Sequence, residues 1–279
     1  MSQGLAETVT LTHGAAMPRL GLGTSPMDVG ETERAVALAL EAGYRLVDTA
    51  ENYGNERGVG EGVKASGVPR EDVFVTTKFN KRWHGVELVE EAFAHSAKRL
   101  GLDYIDLLLI HWPNPDQNRY VAAWQGLTRL LEDGQVRAIG TSNFKPAHLD
   151  RLQAETGVAP DVNQIELNPL VTREAARAYH SEHGIVTESW SPIGGQGADV
   201  LSAPEIIEIA ARYERTPAQI VLRWHMQLGL VAVPKSSTAS RVRENINIFD
   251  FELSTDDVAA ISALDRGEDA AVDSDRFGH

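Results

Sequence analysis

Gly21-Leu22-Gly23-Thr24-Ser25-Pro26 is the stretch that decides between two folds. It follows the first strand-like run, which begins near Leu20. In an open, doubly wound sheet this is where G-x-G-x-x-G turns the chain into a helix and sets a pyrophosphate on the helix N-terminus. Here Pro26 stands where the third glycine belongs, so that fingerprint is absent. Working outward, further strand candidates begin near Leu46, Val73, Ile105, Val136, Val162, Ile185 and Leu230. Most are short and rich in Val, Ile and Leu, as strands buried on both faces must be. Segments with helical spacing lie between them: residues 32–42, stopped by Gly43; residues 86–100, stopped by Gly101; and residues 120–131, ending at the turn pair Asp133-Gly134. Thr216-Pro217-Ala218-Gln219 has the form of a helix start, with a threonine cap, a proline in the first turn and a glutamine that reaches back.

Eight successive strand-then-helix units predict an α/β protein closed as a (β/α)8, or TIM, barrel, with residues 1–279 forming a single domain. Upstream, residues 9–11 and 17–20 flank His13-Gly14 and predict a short hairpin that closes the N-terminal end of the barrel. Residues 266–279 are polar and aperiodic, so they read as a tail or loop.

Composition narrows the chemistry. The chain has 279 residues, 42% hydrophobic and 24% charged, which are globular values. It has no cysteine, which excludes disulfides, thiolate catalysis and cysteine metal sites and agrees with a cytoplasmic location. A formal net charge of −14 repels nucleic acid and anionic lipid, so neither is expected as a partner. No basic segment followed by an apolar run opens the chain, and no apolar run is long enough to span a bilayer. A monomer acting on a small molecule is the expectation.

In a (β/α)8 barrel the functional side chains gather at the C-terminal ends of the strands. Strand two ends in Asp48, with Tyr53 in its loop; strand three ends in Lys78; strand four ends in His111. Each has a plain alternative: a cap, a rim aromatic, a solvated strand end, a satisfied core histidine. Together they bring ionisable groups from three successive strands to one rim. Carbonyl reduction needs a proton donor and a polarising group for the developing oxyanion. Tyr53 holds its proton at neutral pH, a nearby ammonium from Lys78 lowers its pKa, Asp48 pairs with Lys78, and His111 can hydrogen-bond the substrate oxygen. Metal catalysis is not expected, because there is no cysteine and no second histidine is in view near this set. His180 and His183, three apart on a helix, read as surface residues.

These segments resemble a known family. Asp48-Thr49-Ala50-Glu51-Asn52-Tyr53-Gly54-Asn55-Glu56, Thr76-Thr77-Lys78 and Leu108-Leu109-Ile110-His111-Trp112-Pro113 are similar to the Asp–Tyr, lysine and histidine motifs of the aldo-keto reductases, and the likeness runs from about residue 9 to residue 265. The pattern resembles bacterial members of the 2,5-diketo-D-gluconate reductase type. The resemblance implies Asp48, Tyr53, Lys78 and His111 as a catalytic tetrad, with Tyr53 as proton donor.

It also implies a cofactor, NADPH/NADP+. Ser142, Asn143 and Gln164 can hydrogen-bond a carboxamide, although Ser and Asn are also ordinary turn residues. Trp190 ends strand seven and can stack on a nicotinamide ring; without the resemblance it reads as core packing. A glycine-rich loop, residues 191–197, begins at Ser191 and can fold over the pyrophosphate. After strand eight come Lys235, Ser236, Ser237 and Thr238, then a helix carrying Arg241, Glu244 and Asn245. Barrels often bind phosphate at this place, and in the family the matching segment holds the 2′-phosphate, which favours NADPH over NADH.

For the substrate, Ser25 stands where relatives often carry an aromatic, which widens that side of the mouth. Phe79, His111 and Trp112 are the expected pocket residues. The implied reaction is reduction of aldehydes or ketones, among them α-keto carbonyls, methylglyoxal and keto-sugar acids. The tail can form a further wall and present Arg276 to an acidic substrate, or it can fray and touch nothing. The alternative function is a nucleotide-binding regulatory subunit on the same fold, against which the complete tetrad argues.

Overall fold

The computed structural model describes residues 7–195 and 199–279. Two short strands, β1 (Thr8–Thr10) and β2 (Ala16–Pro18), pair antiparallel. Eight more follow: β3 (Leu22–Gly23), β4 (Leu46–Asp48), β5 (Phe74–Phe79), β6 (Ile105–Ile110), β7 (Val136–Ser142), β8 (Val162–Glu166), β9 (Val186–Trp190) and β10 (Val231–Ala232). They form one parallel sheet whose spatial order is the chain order. The first strand meets the last through parallel bridges Leu20–Ala232 and Gly23–Lys235, and Gly21 N donates to the Ala232 carbonyl at 2.9 Å. That contact closes the barrel, and it explains the glycines of the opening stretch. A Cβ on Gly23 would lie 2.6 Å from the Val233 carbonyl oxygen, and one on Gly21 would lie 2.5 Å from the Leu46 side chain.

Helices cover the outside: α1 (Val29–Glu41), α2 (Glu56–Ser66), α3 (Val86–Leu100), α4 (Tyr120–Glu132), α5 (Pro146–Thr156), α6 (Glu174–Glu182), α7 (Pro204–Tyr213), α8 (Pro217–Gln227), α9 (Ala239–Ile246) and α10 (Thr255–Ser262). No helix among the described residues is long and apolar enough to cross a membrane. Helix α1 starts three residues before the expected residue 32, because the Asp28 carboxylate accepts a hydrogen bond from Glu31 N at 2.8 Å and caps the first turn. The capping box at Thr216 and Gln219 forms as its residue types require.

Period-2 alternation sorts each strand's side chains into two layers. The inward set, Leu46, Phe74, Leu107, Leu109, Ala138, Val162, Val231 and Val233, packs with Leu11, Ala15 and Met17 from the hairpin region. The hairpin therefore plugs that end of the barrel, and His13 N and Nδ1 tie it to Asp161 at 2.9 Å each. The outward set, including Val47, Val75, Phe79, Leu108, Ile110 and Ile139, packs under the helices. Continuing the inward parity beyond the apolar plug gives Asp48, Lys78, His111, Ser142, Gln164, Glu188 and Trp190 at the opposite end.

Parity also corrects one expectation. Phe79 follows the inward-facing Lys78, so it faces out; it is fully buried in the sheet–helix layer, edge-on to His84, and is not among the residues lining the cavity that Asp48 and His111 line. A second correction concerns α6. His180 is not on the surface: it is buried, hydrogen-bonded to Asn163 at 2.9 Å and Thr187 at 2.8 Å, and burial, aided by Arg173 and His183, lowers its pKa to about 4. His183, one residue past the helix, is exposed and stacks on Tyr179. No cluster of three or more metal-ligating side chains occurs among the described residues.

Candidate active site

At the open end of the barrel, β4 and β5 set a buried ion pair. Lys78 Nζ donates to both Asp48 oxygens, at 2.7 and 2.8 Å, and to the Thr49 carbonyl at 2.9 Å. Gln164 Nε2, from β8, donates to the same carboxylate at 2.8 Å. Tyr53 comes from the short 3-10 turn Glu51–Tyr53, and its ring centroid lies 5.2 Å from Lys78 Nζ and 5.9 Å from the His111 ring. The turn is braced from both sides. Asn55 accepts from Thr49 Oγ1 at 2.7 Å and donates to the Thr24 and Met27 carbonyls, while Glu51 accepts from Trp83 Nε1 at 3.0 Å and from Arg82. Glu51 and Asn55 thus hold Tyr53 in place, a role that residue type alone did not announce.

Burial and charge act together on this cluster. Burial works against the Lys78 ammonium, but Asp48, Tyr53 and Glu188 together more than offset it and the pKa ends above the ordinary lysine value. Burial raises the Tyr53 pKa; Lys78 lowers it, as expected from the sequence, but not enough to reverse the direction. The His111 pKa lies well below the ordinary histidine value because of burial, Lys78 and a further histidine, His279. The imidazole of His111 is therefore neutral, with one N–H to donate.

Glu188, in β9, was not singled out by its residue type. It pairs in register with Gln164, is fully buried, and neither carboxyl oxygen has a hydrogen-bond partner among the described residues. Burial, with Asp48 nearby, raises its pKa to about 8, so it carries its proton at neutral pH. The available signal was parity: an acid two residues before Trp190 in a buried strand has to point into the barrel.

A cavity of about 700 Å³ opens over the cluster. Its lining runs from Asp48, Tyr53, His111 and Trp112 past Ser142, Asn143, Gln164 and Trp190 to Ser191 and Lys235. Asn143 has φ +64 and donates to the His111 carbonyl at 3.2 Å, while its Oδ1 accepts from Trp190 Nε1 at 2.9 Å. Ser142 Oγ donates to the Gln164 carbonyl at 2.9 Å. Beyond β10, Lys235, Ser237, Thr238 and Arg241 are exposed around the start of α9, and Ser236 is buried with no partner for its hydroxyl among the described residues. Glu244 accepts from Thr216 Oγ1 at 2.7 Å, and Asn245 is buried. Of the glycine-rich loop, Gln196 and Gly197 lie outside the described residues.

Ser25 is exposed on the cavity wall and Trp112 is nearly buried on another side. The tail from residue 266 is neither frayed nor simply polar. Phe277 packs on Trp112 with ring centroids 4.9 Å apart, and His279 packs on His111 at 4.9 Å and joins the cavity lining. A second histidine therefore does stand beside the cluster, contrary to the expectation from strand ends. Arg276 is 89% exposed and pairs with Asp273 rather than facing the cavity.

Such a barrel, with a cluster of buried ionisable groups at its open end beneath a cavity of small-molecule size, has the form of a small-molecule enzyme. Comparison with known proteins places it more narrowly. The model of the aldo/keto reductase family matches residues 14–266. Methylglyoxal reductase DkgA of Yersinia pestis is 47% identical over 271 residues, 97% of each chain. The crystal structure of an aldo/keto reductase from Brucella melitensis is 45% identical with a TM-score of 0.90, covering 93% of this chain and all of that one. A Gox0644 mutant solved in complex with NADPH is 42% identical with a TM-score of 0.92 over 98% of each chain. This chain belongs to the aldo/keto reductase family.

Proposed function

We propose that this protein reduces aldehydes and ketones to alcohols with NADPH, using Asp48, Tyr53, Lys78 and His111 as its acid–base cluster. The observation that carries the reading is continuity: the cavity that exposes Tyr53 and His111 also reaches Lys235. The residues along it suit the cofactor. Ser142, Asn143 and Gln164 offer amide and hydroxyl groups for a carboxamide, and Trp190 presents a ring already fixed by Asn143. Lys235, Ser236, Ser237, Thr238 and Arg241 suit a phosphate at the start of α9, and Ser191 lies at the loop between these two regions. Glu244 and Asn245 support this end from the helix. When bound, the reduced nicotinamide supplies a hydride.

The chain's own residues handle the proton. A neutral His111 hydrogen-bonds and orients the carbonyl oxygen without competing to donate a full proton. Tyr53 gives its phenolic proton to that oxygen as negative charge develops. Lys78 stabilises the phenolate left behind, and Asp48 keeps Lys78 charged and aimed. The proposed substrates are carbonyls small enough to enter beside Trp112, with α-keto carbonyls, methylglyoxal and keto-sugar acids as the classes to test.

Tyr53→Phe is the direct test. NADPH oxidation should fall by at least ~100-fold in kcat, the loss typical of removing a general acid, while NADPH affinity holds. Turnover within a few-fold of the parent would exclude Tyr53 as the donor.

A further inference from the structure

The tail is built into the site. Lys145 Nζ bonds Asp273 at 2.7 Å and also Asp275, which His148 contacts at 3.1 Å. Val272 N donates to Glu166 at 3.1 Å. Gly278 lies so close to the β6 loop that a Cβ there would stand 2.4 Å from Asn114 Nδ2 and 3.1 Å from the Trp112 Cβ. Lys81 contributes its backbone N–H and its ammonium, each 3.4 Å from a carbonyl, of His279 and Gly278 respectively. These contacts deliver one side chain to the chemistry. The His279 ring stands edge-on to His111 at 4.9 Å, at 79°, with Trp112 and Phe277 each 6.0 Å away.

Nothing in the acid–base cluster uses this imidazole. Its ring nitrogens make no hydrogen bond among the described residues, and it lines the same cavity as Tyr53 and His111. Burial and Lys81 lower its pKa below the ordinary histidine value, so at neutral pH it offers one N–H donor and one lone pair. The two rings are thus a pair of neutral hydrogen-bonding groups one ring-width apart. The oxygens of a 1,2-dicarbonyl or an α-hydroxy carbonyl sit on adjacent carbons, a spacing that lets one molecule meet both rings. A simple aldehyde has nothing to offer the second.

We propose that His279 is a specificity-determining residue: it hydrogen-bonds the oxygen next to the carbonyl being reduced, so the site prefers α-oxygenated carbonyls, 1,2-dicarbonyls above all, over simple aldehydes of equal length. This rests on the carbonyl-reductase reading above. Trp112 and Phe277 form the apolar backing against which the substrate's carbon chain lies.

The test compares methylglyoxal with propanal, both three-carbon aldehydes, in the parent and in His279→Phe and His279→Gln. Phenylalanine keeps the ring packing and loses both nitrogens; glutamine restores a donor and an acceptor. One neutral hydrogen bond is worth roughly a two- to tenfold effect in an equilibrium or rate ratio. In His279→Phe the methylglyoxal-to-propanal ratio of kcat/KM should fall by about that factor, and His279→Gln should recover part of it. NADPH affinity, read from cofactor fluorescence, reports whether the fold is intact. An unchanged ratio in His279→Phe, or equal losses for both substrates, overturns the assignment while leaving the carbonyl-reductase reading in place. A folded parent that oxidises NADPH with neither substrate overturns that reading and this one with it.

Discussion

Replacing Lys78 by methionine separates what the buried ion pair does for stability from what it is proposed to do for catalysis. The substitution removes three donations at 2.7–2.9 Å and leaves Asp48 buried with Gln164 as its remaining side-chain donor. Removing one partner of a buried pair costs about 3–5 kcal/mol, mostly because a charge is stranded. The stranded carboxyl can escape by taking up a proton, but for an ordinary carboxylate titrating near 4 that costs about 4 kcal/mol at pH 7, the same size. At about 2–4 °C per kcal/mol for a domain approaching this length, the melting temperature should drop by roughly 6–20 °C. Lys78→Met combined with Asp48→Leu removes the stranded charge as well and should recover much of that loss. Turnover should not recover if, as proposed, Tyr53 needs the Lys78 cation to stabilise its phenolate. The assays are thermal melts at pH 7 and fixed salt, with NADPH oxidation measured on the same samples. A single variant melting within 2 °C of the parent, or a double variant that regains turnover, would refute the reasoning.

Other consequences can be checked separately. Lys235→Ala or Arg241→Ala should weaken NADPH about ten- to a hundredfold and NADH much less, since a lost charge-assisted contact is worth roughly 1.5–3 kcal/mol and NADH lacks the 2′-phosphate; equal losses in titrations with both cofactors would remove these residues from the phosphate site. Glu188, raised to about 8, holds a proton in the folded state that the unfolded chain releases near 4.5. The stability it contributes is complete below 4.5 and is lost as pH rises towards 8, so Glu188→Gln should flatten the fall of melting temperature across that window, and parallel curves would contradict the assignment. At Gly60 a Cβ would lie 1.7 Å from the Leu100 carbonyl oxygen. Gly60→Ala should therefore force α2 from α3 and lower stability by at least ~1–3 kcal/mol, whereas a rise in melting temperature would show that the helices part freely.

The barrel, and the gathering of Asp48, Lys78 and His111 at one rim, were legible because they follow from short-range rules. A strand buried on both faces has to be apolar, so an ionisable residue ending it stands out, as Asp48, Lys78 and His111 do. Phe79 shows the same rule applied too loosely: an aromatic next to a strand-end lysine looks like a pocket wall until alternation sends it to the other face. Glu188 was hidden because it lies inside β9 rather than at its end, where barrel side chains that carry chemistry gather. His180 was hidden because its partners, Asn163 and Thr187, lie on two different strands. The tail was the least legible part. Its docking depends on Lys145, Glu166 and Asn114, each more than 100 positions away, and no local pattern in residues 266–279 announces them.

Gln164 commits its amide nitrogen to Asp48, 116 positions earlier in the chain, while its carboxamide lies among the groups proposed to receive the nicotinamide. One side chain then belongs to two equilibria, and thermodynamic reciprocity requires each to feel the other. Whatever free energy cofactor binding draws from drawing Gln164 closer or easing it away is returned, with the same magnitude, as a change in how firmly Asp48 holds Lys78. On the proposed reading, affinity for the nucleotide and readiness of the proton donor are two readings of a single adjustable joint between β4 and β8.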